Sequence, residues 1–109
     1  MTVHDDWYPD GVEDGKMLWR LDFPDYQAQL FREEGSGSFS LFLERDVRAP
    51  EDPSIRIDYA GATWPLTADR ARRLLTNGLA VCREDLREEF TEVAALPCDP
   101  KYCDLPKGD

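Results

Sequence analysis

The stretch MLWRLDFPDYQAQLFR, residues 17–32, predicts a β-hairpin. Apolar and polar side chains alternate in its first half, which is the period of a strand with one buried face. Pro24 and Asp25 are typical turn residues. Residues 26–32 resume the alternation, and we expect them to form the return strand.

Three further segments extend this hairpin into a sheet. Residues 39–44 (FSLFLE) and 54–59 (SIRIDY) alternate in the same way, and Ala60-Gly61 allows a tight turn before the short segment 62–66 (ATWPL). Pro65 confines that last segment to an edge or to a strand end. The sequence therefore predicts a meander of four or five antiparallel strands, with Ile55, Ile57 and Tyr59 pointing inward.

The residues after the sheet predict helix. Thr67 is a favourable N-cap for a helix that begins at Ala68. Asn77-Gly78 predicts a helix end, with Gly78 in the left-handed conformation, although the apolar period continues to Val93. A single helix over 68–95 would be ~42 Å long, whereas a domain of this size has a radius of gyration of only about 13 Å. We therefore favour two helices broken near Gly78 over one long helix.

The predicted fold is α+β, with an antiparallel four- to five-stranded meander covered on one face by one long or two shorter C-terminal helices. Residues 1–15 form an acidic N-terminal arm, mobile or loosely docked, residues 16–96 a single domain, and residues 97–109 an irregular tail. Trp7 and Tyr8 in the arm either anchor it on the sheet or await a partner. The predicted core consists of Trp19, Leu21, Phe39, Leu41, Ile55, Ile57, Leu75, Leu86 and Phe90.

The charge of the chain restricts its partners. The formal net charge is −10, from 23 acidic and 13 basic residues. This charge argues against direct binding to nucleic acid or to an anionic membrane surface, and it favours a basic protein surface. The N-terminus lacks the basic start and apolar stretch of a signal peptide, and we find no apolar run of transmembrane length, so a cytoplasmic location is expected.

An acidic stripe between residues 84 and 92 is the main functional clue. Glu84, Glu88 and Glu92 recur every fourth residue, which places them on one side of a helix. Asp85 and Glu89 flank the stripe. The apolar positions fall on the opposite side, and they are Leu79, Cys82, Leu86, Phe90 and Val93.

Two interpretations of this stripe remain open. It is a solvated face, or it is a row of charge that binds a basic partner through Glu84, Asp85, Glu88, Glu89 and Glu92. Small acidic inhibitors that mimic nucleic acid work in the second way as a class. The arginines of the preceding helix either pair with acidic residues of the same chain, which we prefer, or contact a second copy in a homodimer. Trp7, Tyr8, Arg70 and Arg73 are candidates for secondary contacts.

No catalytic residue, cofactor or metal site is predicted. The one histidine, His4, lies in the arm, and Cys82 lies on the predicted buried helix face. Cys98 and Cys103 could pair or supply two metal ligands, but a structural zinc site needs four. A calcium loop aligned on DDWYPDGVEDG so that it begins at Asp6 would have Tyr8 at its third position and Met17, beyond the quoted segment, where a bidentate glutamate is needed.

We therefore expect a non-catalytic protein-binding module. Its most concrete form is a cytoplasmic regulator or inhibitor that docks on a basic, nucleic-acid-handling protein. The alternative is a structural or oligomeric accessory protein whose acidity serves solubility, and a small enzyme or ligand binder comes third.

Overall fold

The computed structural model describes residues 2–13 and 16–101. Five strands form one antiparallel sheet in the order β1-β2-β3-β4-β5, and three helices follow it, so the predicted α+β meander is confirmed. The strands are β1 (Tyr8–Glu13), β2 (Lys16–Phe23), β3 (Tyr26–Glu33), β4 (Phe39–Arg48) and β5 (Arg56–Leu66). The helices are α1 (Ala68–Leu75), α2 (Leu79–Asp85) and α3 (Arg87–Ala95). None of these helices is long and apolar enough to span a membrane.

The core lies between the helices and one face of the sheet. Leu21, Leu30, Leu41 and Leu43 are fully buried from the sheet side. The helices contribute their apolar faces, and the buried helical residues are Ala71, Leu74, Leu75, Cys82, Leu86, Phe90 and Val93. The predicted core residues other than Ile55 and Ile57 lie in or against this cluster, with Phe39 partly buried.

Two predictions about β5 are wrong. Residues 56–66 form one strand without a turn at Ala60-Gly61, and Ile57 is 37% exposed. The inward positions are instead the even-numbered ones, because Ala62 and Trp64 pair with the buried Leu43 and Leu41 of β4. Ile55 is only half buried. The strand pairing, not the apolar alternation of 54–59, therefore decides which face of β5 is buried.

The helices break near Gly78, as we favoured, but not in the predicted way. Gly78 has φ −87° and is the N-cap of α2, so it is not a left-handed helix end. A second break at Leu86 separates α2 from α3. Backbone hydrogen bonds from Leu86 to Cys82 and from Phe90 to Leu86 continue the helical pattern across this break. Thr67 caps α1 as predicted, because its hydroxyl accepts a hydrogen bond from the Arg70 amide.

The N-terminal segment is more closely integrated than the expected loose arm. Trp7 is only 3% exposed, and its indole Nε1 donates to the Leu74 carbonyl at 2.8 Å. The His4 amide donates to the Leu75 carbonyl at 2.7 Å. Because an indole buries a large apolar area, Trp7 fixes the segment against α1, and residues 8–13 continue as β1.

Candidate partner-binding surface

The three glutamates of the stripe lie on two helices, Glu84 on α2 and Glu88 and Glu92 on α3. Glu84, Glu88 and Glu92 are all exposed. Beneath them Leu86 is fully buried and Phe90 is 9% exposed. Burial of the apolar face therefore turns this row of carboxylates toward solvent.

Asp85 and Glu89 are used within the chain. The Arg70 guanidinium donates to both carboxylate oxygens of Glu89, at 3.0 and 3.2 Å, and Glu89 is only 7% exposed. Arg73 Nε donates to Asp85 Oδ2 at 2.7 Å. These contacts join α1 to α2 and α3. The α1 arginines Arg70 and Arg73 thus pair with acidic residues of the same chain, as we preferred.

These ion pairs shift the pKa values of the α1 arginines. The hydrogen bond to Glu89 is the largest factor that raises the pKa of Arg70. The hydrogen bond to Asp85 does the same for the pKa of Arg73. Both arginines therefore stay charged, and Arg70, with its side chain 27% exposed, offers little surface to a partner.

The outer glutamates differ in their availability. Glu84 contacts Arg87 at 3.4 Å in an exposed pair, which contributes little to stability. Glu92 accepts a hydrogen bond from the Trp64 indole at 2.9 Å. Glu88 has no hydrogen bond or ion pair with any described residue. Glu84 and Glu88 are thus the carboxylates that a partner could engage at least cost.

A groove runs beside these two glutamates, between α1 and the α2–α3 segment. Its volume is about 810 Å³. Val81, half exposed at 50%, and Ala80 give it an apolar strip. The other lining residues are Arg70, Arg73, Glu84, Asp85, Arg87 and Glu88. We call the exposed part of this groove, Val81 with Glu84 and Glu88, the α2 surface.

The arginines of the chain are engaged internally. Arg32 lies over the Phe39 ring and Arg83 over the Phe90 ring, with centroid distances of 6.0 and 5.0 Å. The others pair with carboxylates, and they are Arg20, Arg45, Arg48, Arg56, Arg70, Arg72, Arg73 and Arg87. The side chains that remain available to other molecules therefore carry a net negative charge.

The acidic excess is not concentrated on the helices. Residues 68–95 contain six acidic and five basic side chains, whereas residues 1–67 contain 14 acidic and six basic ones. The stripe is therefore a local row of charge within a nearly neutral helical layer. The long-range negative field comes mainly from the strands and loops.

The two aromatic candidates for secondary contacts, Trp7 and Tyr8, do not belong to the α2 surface. Trp7 is buried and cannot contact a partner while docked. Tyr8 is 39% exposed, and its hydroxyl donates to Asp22 at 2.8 Å. Desolvation and this hydrogen bond raise the pKa of Tyr8. Tyr8 lies on the β1 side of the sheet, so it does not extend the α2 surface.

The described residues contain no group of three or more His, Cys, Asp or Glu side chains arranged to hold a metal ion. Cys103 lies outside the described residues. Cys82 is fully buried, and this burial raises the pKa of its thiol to about 11, which disfavours the reactive thiolate. His4 accepts a hydrogen bond from the Asp6 amide at the chain's surface.

Arg45 is a buried charge that sequence reasoning missed. Its guanidinium donates to Asp58 and to the carbonyls of Val93 and Leu96 at the end of α3. Arg45 follows Leu41 and Leu43 in the same inward phase of β4, and a charged residue at an inward position was the available signal. Its role is to join the sheet to α3.

Comparison with protein-family models, with curated proteins and with solved structures finds no match to this chain.

Proposed function

We propose that this protein is a non-catalytic cytoplasmic binding module that docks on a basic protein surface through the α2 surface. A regulator or inhibitor of a nucleic-acid-handling protein is the most concrete form of this function. The observation that carries the proposal is the position of Val81, 50% exposed, beside the outward carboxylates of Glu84 and Glu88. An apolar contact with a charged rim is the usual composition of a protein-binding patch.

The two parts of the surface have different roles. Burial of Val81 against an apolar partner residue supplies affinity at about 25 cal/mol per Å² of apolar area. Glu84 on α2 and Glu88 on α3 are four residues apart, on either side of the break at Leu86. In a continuous helix their Cβ atoms would be about 5–6 Å apart, a spacing that suits two basic side chains. Rim charges of this kind mainly accelerate association and select the partner, and salt weakens them.

The internal ion pairs support the same surface. Asp85 and Glu89 hold α1 against α2 and α3 through Arg70 and Arg73, so the wall that carries Glu84 and Glu88 is fixed before binding. Pre-organisation lowers the entropic cost of association. Glu92 adds negative charge at the far end of the stripe while it remains bonded to Trp64.

The test is a pull-down with three versions of the full chain, at low and at high ionic strength. The wild type is compared with Glu84→Gln/Glu88→Gln and with the control Glu34→Gln/Glu51→Gln, which removes the same charge from exposed loop positions. We expect a basic partner to be retained by the wild type and the control at low salt, to be retained more weakly by both at high salt, and to be lost from the stripe variant. Equal retention by both double variants would contradict the α2 surface.

A Val81→Ser variant separates the apolar contribution from the charged one. We expect it to weaken the binding of that partner at low and high salt alike, because the apolar contact is not screened. The purified partner and protein are then measured by calorimetry at both salt concentrations. A loss of affinity that disappears at high salt would assign Val81 no apolar role.

A further inference from the structure

The face of the sheet opposite the helices carries a second groove. It has a volume of about 530 Å³ and is lined by side chains of β2 to β5 and of the loops between them. Its lining residues include Asp22, Gln27, Gln29, Glu44, Asp46 and Arg56. This groove lies across the sheet from the α2 surface, so it is independent of the proposed function.

Inside the groove, the side-chain N–H and O–H donors named here are used in internal hydrogen bonds, while some side-chain oxygen acceptors keep free capacity. Gln29 Nε2 donates to Gln27 Oε1, and Gln27 Nε2 donates to Asp22 Oδ1, both at 3.2 Å. This relay leaves the Gln29 side-chain carbonyl without a donor among the described residues. The Tyr59 hydroxyl donates to one oxygen of Glu44, Oε2, at 2.7 Å, and within residues 2–13 and 16–101 no donor bonds to the other Glu44 oxygen.

The cations beside the groove already have carboxylate partners. Arg48 and Arg56 both contact Asp46, at 3.1 and 3.4 Å. Arg20 contacts Asp10 and Asp22, at 3.4 and 3.5 Å. Glu44 is half buried in the middle of the sheet, yet it has no ion pair with any described residue.

We infer that this groove binds an arginine side chain of a partner protein, with the guanidinium between Glu44 and Gln29. A guanidinium is a planar group with five N–H donors and no acceptor, so it complements a carboxylate next to a free amide carbonyl. Residues 1–67 contain 14 acidic and six basic side chains, and this charge favours the approach of a cation. Gly61, opposite Glu44 on β5, carries no side chain, and the Phe42 ring occupies the space that a Cβ there would take.

The probe for this site is an acetylated, amidated tetra-arginine peptide. It is titrated into the full, ¹⁵N-labelled chain while amide shifts are followed by NMR. We expect saturable shifts at Gln27, Gln29 and Glu44, and about fivefold weaker binding at this site for Glu44→Gln, because a charge-assisted hydrogen bond becomes a neutral one. Glu34→Gln, an exposed loop position, is the matched control and should bind as the wild type does.

The outcomes separate this inference from the proposed function. Shifts confined to Glu84 and Glu88 would overturn the groove and leave the α2 surface standing. Unchanged binding by Glu44→Gln, or equal binding of a tetra-lysine peptide at these amides, would also overturn the arginine site. Glutamine can still accept from Tyr59, so Glu44→Gln should fold. Should it unfold, Gln29→Leu removes the second acceptor and must weaken the peptide in the same way.

Discussion

Arg45 on β4 binds Asp58 on β5 through its Nε, which lies 3.0 Å from both carboxylate oxygens. The same guanidinium reaches the carbonyls of Val93 and Leu96 at the end of α3, where the Val93 carbonyl also accepts from the Leu96 amide. The Arg45 side chain therefore connects β4 and β5 with α3.

Replacement of Arg45 by methionine should destabilise the fold by about 3 kcal/mol, because it removes the cation that pairs with Asp58 and the guanidinium donors to the Val93 and Leu96 carbonyls. Arg87→Met, which removes an exposed pair with Glu84, should cost less than about 0.5 kcal/mol. Urea unfolding measures both. Similar losses for the two variants would show that the Arg45 contacts do not stabilise the native state.

Replacement of Trp7 should show that the N-terminal segment is part of the cooperative fold. Trp7→Ala should cost about 3–5 kcal/mol, since it empties a buried indole site. Trp7→Phe keeps most of the apolar area but loses the hydrogen bond to the Leu74 carbonyl. The loss of that bond should cost about 1 kcal/mol, so Trp7→Phe should be less destabilised than Trp7→Ala. Thermal unfolding measures both, and an unchanged midpoint for Trp7→Ala would mean that the segment docks without contributing stability.

Gly78 is required by the approach of the N-terminal segment. A Cβ at this position would lie 2.6 Å from Asp6 Oδ2, the atom that accepts from the Leu79 amide at the start of α2. Gly78→Ala should displace that cap and cost about 1 kcal/mol, as should Asp6→Ala. The double variant should be close to Asp6→Ala alone, because both changes remove one interaction. Fully additive losses in urea unfolding would argue against this coupling.

Cys82 should make stability depend on alkaline pH. Its pKa rises from 9.0 to about 11 on folding, so above pH 9 the unfolded chain loses a proton that the folded chain keeps. This contribution is complete below pH 9 and is lost as the pH approaches 11, by on the order of 2 kcal/mol. Cys82→Ala provides the comparison, since other titrating groups are common to both proteins. Parallel stability curves for the two would refute the effect.

The sheet was predictable where one face alone carries the apolar residues. The alternation from Trp19 to Phe23 places Trp19, Leu21 and Phe23 in the core, where they are buried, whereas earlier in β2 Met17 is 37% exposed and its neighbour Leu18 is buried. β5 was not predictable in the same way, because both of its faces carry apolar residues. At its start the odd positions Ile57 and Tyr59 are more hydrophobic than Arg56 and Asp58, but pairing with the buried Leu41 and Leu43 selects the even positions.

The stripe was predictable only in part, for a related reason. Helical periodicity locates Glu84, Glu88 and Glu92 on the outer side of α2 and α3. It does not reveal that Glu89 turns inward, because its partner Arg70 belongs to another helix. Local spacing describes one element, whereas the role of a charge depends on the elements packed against it.

The contact between Trp7 and Leu74 has a consequence for biosynthesis. These residues are 67 positions apart, so the indole has no docking site until most of the chain has left the ribosome. A nascent chain that ends within β5 would expose the inner side of the sheet together with an undocked tryptophan. Completion of the chain and closure of its N-terminal segment are thus expected to occur together, in a late step that also shields the emerging sheet from aggregation.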